Sequence, residues 1–202
     1  MYVRLSVFSL SVNISLYIYL HIEKTEIKRP SKLINFVKAG VKGTSTPAST
    51  PSHLLCSAND WKCLVDYQDN SIIFPAEICI TEQRPDIILW SSLGKRVILI
   101  ELTCPSEENL LQAKARKSDR YAQLTQQIIA NGWTTSLYLI EAGVRGCLSH
   151  SFRNCLLNVG IPKSQVEKIC KKVQTVVSRC SYLIFKSHKN KTWTHQQLFT
   201  LR

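Results

Sequence analysis

The chain has 202 residues, enough for one ordinary domain plus a tail. Hydrophobic residues make up 45% of it, which permits a packed core and excludes a wholly disordered polar chain. The formal net charge of +12, from 26 Lys and Arg against 14 Asp and Glu, points to a polyanionic partner, nucleic acid or an anionic membrane surface; a plain soluble basic protein is the alternative.

Residues 2–22 are apolar, but from Leu10 to Leu20 the apolar residues alternate with Ser11, Asn13, Ser15, Tyr17 and Tyr19. That is strand periodicity, and the serines weaken any signal peptide or membrane anchor. Residues 40–53 collect Gly, Ser, Thr and Pro and read as a linker. Residues 1–53 are therefore assigned to an extension, expected to be poorly ordered, and a compact core to 54–160. A short strand is expected near Ser71–Phe74. The apolar runs 86–90 and 97–103 flank Ser91-Ser92-Leu93-Gly94-Lys95 and predict a hairpin. A helix is predicted from Ser106, a good N-cap, to Ala130, before Asn131-Gly132. A strand follows over 135–141, then helices over 149–158 and 163–179, then a last strand over Tyr182–Lys186. This order predicts an α/β fold with a mixed central sheet flanked by helices. Residues 161–202 are read as a basic C-terminal helix and tail, rich in Lys and Arg from Lys163 onward with Glu167 as the single acid.

The eight cysteines contain no CxxC pair. Cys79 and Cys104 sit in apolar runs, where a free thiol behaves as a small hydrophobe, so buried thiols in a reducing compartment are expected. His53, Cys56 and Cys63 lack a fourth zinc ligand at the usual spacing.

The hairpin carries the chemistry. In its simplest antiparallel register Trp90 faces Val97, Ile88 faces Leu99 and Asp86 faces Glu101. Opposed side chains have Cβ atoms roughly 4.5–5.5 Å apart. Two carboxylates at that distance repel, and a divalent metal between them is the natural remedy, because hard cations take carboxylate oxygens. A pair splayed into water or a slipped register is the alternative. Glu101 also ends a run, Val97–Leu102, that is apolar on both faces, and a charge there needs a partner. Thr103 shares its face, and the Leu102 carbonyl offers a further oxygen ligand. Glu77 is another candidate acid for the metal, with a solvated loop residue as the alternative. On the helix, Leu110, Ala113, Lys117, Tyr121, Leu124 and Ile128 fall in one stripe, which turns Lys117 and Tyr121 toward the sheet. A lysine that snorkels to water is the alternative for Lys117.

Two acids, a lysine and a tyrosine suit phosphodiester hydrolysis, with the lysine stabilising charge on the phosphate or orienting a water. A Cys–His nucleophile is disfavoured, because no His lies near Cys104 in sequence and no nucleophile-turn motif occurs.

Arg84-Pro85-Asp86 followed by Glu101-Leu102-Thr103 resembles the PD-(D/E)XK nuclease pattern. With Asp60-Trp61-Lys62, Phe74-Pro75, Arg116-Lys117-Ser118-Asp119-Arg120-Tyr121, Gly132-Trp133 and Glu141-Ala142-Gly143-Val144-Arg145-Gly146, residues 55–160 resemble the restriction-like endonuclease domain at the C-terminus of some non-LTR retrotransposon polyproteins. The resemblance implies a restriction-endonuclease-like core, Asp86 and Glu101 as ligands of Mg²⁺ or Mn²⁺, and Lys117 and Tyr121 as helix-borne catalytic partners. It implies DNA as substrate and a reverse-transcriptase-bearing protein as partner. Thr103 stands where the wider superfamily has its lysine; Lys117 would replace it. No Tyr-x-Asp-Asp signature is present, so the chain reads as a detached piece of a mobile-element protein.

Arg84, Lys114, Arg145, Lys168, Lys171 and Lys172 are the candidate DNA contacts. Gly143 and Gly146 are read as places where backbone approaches a phosphate; a tight turn with a Glu141–Arg145 ion pair is the alternative. Trp90 and Trp133 are expected in the core. The activity expected is a divalent-metal-dependent DNA endonuclease, nuclear or at least intracellular, with no membrane and no small-molecule substrate. The alternatives are a DNA-binding remnant that does not cut and a basic protein anchored in a membrane by residues 2–22.

Overall fold

In the computed structural model the described residues are 53–66 and 73–187. The expectations for residues 2–22 and for the linker up to Ser52 lie outside them. Four strands make one sheet: β1 (Lys62–Val65), β2 (Ile87–Ser91), β3 (Arg96–Thr103) and β4 (Thr134–Glu141), in spatial order β1-β2-β3-β4. β1 and β2 are antiparallel, as are β2 and β3; β3 and β4 are parallel, so the sheet is mixed. The helices are α1 (Leu110–Ala130), α2 (His150–Val159) and α3 (Lys163–Ser187).

The two inner strands, β2 and β3, are apolar on both faces because both faces are covered. Ile88, Trp90, Val97 and Leu99 pack with Tyr121, Leu124 and Ile128 of α1 and with Trp133. Ile87, Leu89, Ile98, Ile100 and Leu102 point the other way, onto Phe152, Cys155 and Leu156 of α2 and Val166, Ile169, Val173 and Val177 of α3. Burying each such Ile or Leu contributes roughly 1.5–3 kcal/mol. Trp90 and Trp133 are core residues, as expected. Packing runs on past residue 160, since α3 belongs to the same cluster as the sheet. Among the described residues no disulfide joins the cysteines, and Cys79, Cys104, Cys155 and Cys170 are buried.

The hairpin has the register expected from its turn: Trp90 pairs with Val97 and Ile88 with Leu99. Asp60 holds the turn from outside, its Oδ2 accepting from the Leu93 amide at 2.8 Å and its Oδ1 from the Ser91 hydroxyl. That contact joins residues far apart in sequence.

Three expectations need correction. Residues 182–186 are not a strand but the last part of α3. The buried series Val166, Ile169, Cys170, Val173 and Val177 sets a helical period, and no Gly or Pro interrupts it before Ser187. The helix, anchored by that series, continues by propagation through Tyr182, Ile184 and Phe185, of which Tyr182 and Phe185 are exposed. The strand expected near Ser71–Phe74 falls half outside the described residues, at Ser71 and Ile72; Ile73 and Phe74, which are described, belong to no strand. The strand that pairs with β2 is β1, four residues long and polar at its start. Ser106 does not cap an α-helix directly; a short 3-10 turn, Glu107–Asn109, precedes α1. Among the described residues no helix is long and apolar enough to cross a membrane.

Candidate active site

The register of β2 and β3 carries on past Ile87↔Ile100 and brings Asp86 beside Glu101. The Asp86 amide donates to Glu101 Oε2 at 3.3 Å, and Asp86 Oδ2 accepts from the Leu102 amide at 2.7 Å. Alternation along β3 turns Glu101 to the α1 side, with Val97 and Leu99. There α1 delivers two side chains one turn apart. The Lys117 ammonium pairs with Glu101 Oε1. The Tyr121 hydroxyl donates to Glu101 Oε2 at 2.8 Å and lies 3.2 Å from the Arg84 carbonyl oxygen. The four residues singled out from the sequence thus meet at one end of the sheet. Amide and carbonyl of one strand residue point to the same side, so the Leu102 carbonyl faces the Asp86 side as well.

The electrostatics follow from burial. Glu101 is 3% exposed, a depth at which an unpaired carboxylate is strongly disfavoured. Lys117 supplies the opposite charge, with its side chain 19% exposed. Burial, then the neighbouring Glu101 charge, pushes the Asp86 carboxyl up to about 7, against the opposing pull of the Leu102 amide and Lys117. Burial and Glu101 also push the Tyr121 phenol up, so it remains a donor at neutral pH.

One acid near the cluster was missed in the sequence. Val65↔Ile87 is the last pair of β1 and β2, and the Asp66 amide donates to the Asp86 carbonyl at 2.8 Å. The Asp66 charge contributes to the rise at Asp86. Asp66, Asp86 and Glu101 therefore succeed one another across three strands, at the same end of each. Only the pairing of β1 brings Asp66 there, and β1 carries too short a pattern to be read. Glu77 is elsewhere. It accepts from Trp90 Nε1 at 2.6 Å and Ser92 Oγ at 2.8 Å, at the turn end of β2, four residues along the strand from Asp86. About 3.3 Å of rise per residue keeps it out of the cluster. Among the described residues no group of three or more His, Cys, Asp and Glu side chains stands as a ready metal cage.

The basic candidates divide. Lys114 is exposed on α1, one turn before Lys117, and Arg84 is exposed beside Asp86. Lys168, Lys171 and Lys172 are exposed on α3, which packs on the opposite face of the sheet from α1. Arg145 does not pair with Glu141. Its Nε donates to Glu107 Oε2 at 2.8 Å and its Nη2 to Glu108 Oε1 at 3.1 Å. Gly143 and Gly146 serve packing: a Cβ on Gly143 would lie 2.6 Å from Glu107 Oε1, and one on Gly146 would fall on Ser178 Oγ. The Glu107 carboxylate, paired with Arg145, thus occupies the space over Gly143.

Comparison with protein-family models, with curated proteins and with solved structures finds no significant match for this chain.

Proposed function

We propose that Asp86, Glu101, Lys117 and Tyr121 form the active site of a divalent-metal-dependent DNA endonuclease, built on a restriction-endonuclease-like core of mobile-element origin and acting in the nucleus. The observation that carries this reading is the convergence on the buried Glu101 of a lysine and a tyrosine from α1, with Asp86 alongside. An ordinary strand pair gains nothing from two adjacent carboxylates.

The donor set fits a hard cation. Asp86 and Glu101 offer carboxylate oxygens, and the Leu102 carbonyl is a neutral third ligand. A bound Mg²⁺ or Mn²⁺ supplies Lewis acidity toward a phosphoryl oxygen and lowers the pKa of a coordinated water. Lys117 is placed to neutralise charge that develops on the phosphate. Tyr121 fixes Glu101 through the hydroxyl bond and keeps its carboxylate turned toward Asp86. Lys114 and Arg84, exposed on the same side, would meet the DNA backbone. The net charge of +12 supports a polyanionic substrate.

A second reading is a DNA-binding remnant that no longer cuts. It is favoured by the Lys117–Glu101 pair, which satisfies the buried charge without any metal. Plasmid nicking by the full chain, in Mg²⁺ or Mn²⁺ and in EDTA, separates the two. Metal-dependent nicking lost in both Asp86→Asn and Lys117→Met supports the nuclease. A folded wild-type protein that retards DNA but never nicks it, in either metal, refutes the nuclease and leaves the remnant.

A further inference from the structure

Glu141 is the second buried acid of the sheet, 3% exposed at the end of β4. Its Oε2 accepts from the Ser151 hydroxyl at 2.7 Å, in the first turn of α2. Its Oε1 is buried and has no hydrogen-bond partner. Among the described residues no Lys, Arg or His pairs with it. The α2 N-terminus and Ser151 offset part of its charge, but one buried carboxylate oxygen is left bare, and such an oxygen requires an occupant.

A second orphan stands beside it. Thr103 is the register partner of Glu141 across the parallel pair β3 and β4. Register partners project to one face of the sheet from strands about 4.8 Å apart. The Thr103 hydroxyl oxygen is also buried and has no partner. Two bare oxygens, one carboxylate and one hydroxyl, thus belong to side chains that start side by side on adjacent strands. The hydroxyl alone would ask only for a water; the carboxyl oxygen beside it is a donor that hard cations favour.

We propose that Glu141 Oε1 and Thr103 Oγ1 hold a divalent cation that keeps part of its water shell. Mg²⁺ and Mn²⁺ suit such a site, since one carboxylate plus waters is a common way of holding them. Thr103 follows Glu101 by two residues on the same strand face, so this cation sits one step along β3 from the Asp86–Glu101 pair, about 7 Å away at the backbone. Its participation in cleavage rests on the nuclease reading above; the binding itself does not.

The test is a titration of the full chain with Mn²⁺, following free Mn²⁺ by electron paramagnetic resonance. The wild type should bind Mn²⁺ in two classes. Glu141→Gln, which keeps the side-chain shape, should weaken one class at least about tenfold, and Thr103→Val should weaken that same class. Asp86→Asn should leave this class intact and remove the other. If Glu141→Gln does not melt cooperatively, Thr103→Val decides alone. Wild-type Mn²⁺ binding in every folded Glu141 or Thr103 variant overturns the proposal and assigns the position to a water. A Glu141-dependent class without any Asp86-dependent class would sink the nuclease reading and leave this one standing.

Discussion

Replacing Lys117 by Met tests whether the Glu101 charge depends on its ammonium. The Met side chain keeps most of the apolar stem against the sheet and removes only the cation. Glu101 Oε1 then loses its partner, while Oε2 keeps the Tyr121 hydroxyl at 2.8 Å. Removing one member of a buried ion pair costs about 3–5 kcal/mol. The Glu101 side chain is 4% exposed but that of Lys117 is 19%, so the lower figure, about 3 kcal/mol, is expected. At roughly 2–4 °C per kcal/mol for a chain of this size, Tm in EDTA should fall by about 6–12 °C. Mn²⁺ should then return part of the loss, since a cation between Asp86 and Glu101 takes over the role of the ammonium. A concentration of about 100 times Kd returns up to about 2.7 kcal/mol. Thermal unfolding followed by circular dichroism, with and without Mn²⁺, reads both effects. A fall of less than about 2 °C in EDTA would falsify the buried ion pair. An equal Mn²⁺ effect on wild type and variant would instead refute the idea that metal and ammonium serve the same carboxylate.

Two more outcomes follow from the same geometry. The Asp86 carboxyl is raised in the fold to about 7 from 3.8, so the folded protein binds the extra proton between those values. In EDTA this group's contribution to stability is full below pH 3.8 and is lost as pH rises through 7. Urea midpoints should fall across that window for the wild type, and Asp86→Asn should flatten the slope; an unchanged slope would contradict a buried, titrating Asp86. Gly146 has φ of 93°, and its Cβ would meet Ser178 Oγ and, at 3.0 Å, the Gln174 carbonyl oxygen of α3. Gly146→Ala should therefore lose more than the about 1–2 kcal/mol of backbone strain, whereas Gly132→Ala, with φ of 80° and open space around it, should lose only the strain. Equal thermal shifts for the two variants would show that the approach to α3 is loose.

The site was largely legible because each of its parts follows a local rule. A hairpin register is set by its turn, so Asp86 and Glu101 could be placed face to face from residue numbers alone. The stripe on α1 follows from 3.6 residues per turn, and Ala113, Tyr121, Leu124 and Ile128 are indeed its buried residues. Glu141 carried the same signal as Glu101, an acid ending an apolar strand, but its partner was sought in the nearby Arg145. The structure gives Arg145 to Glu107 and Glu108 and leaves Glu141 with Ser151.

Local periodicity and turn chemistry thus determined from the sequence that a hairpin and a following helix bring two acids, a lysine and a tyrosine together. Tertiary structure decided what depends on contacts between distant segments. It added β1 at the edge of the sheet and with it Asp66, and it placed Asp60 under the hairpin turn. It moved Glu77 to the far end of β2 and set the α3 lysines on the opposite side of the sheet from α1. The physical reason is the same in each case. Burial free energy is gained only when separate segments meet, and no window of one segment records which partner it will meet.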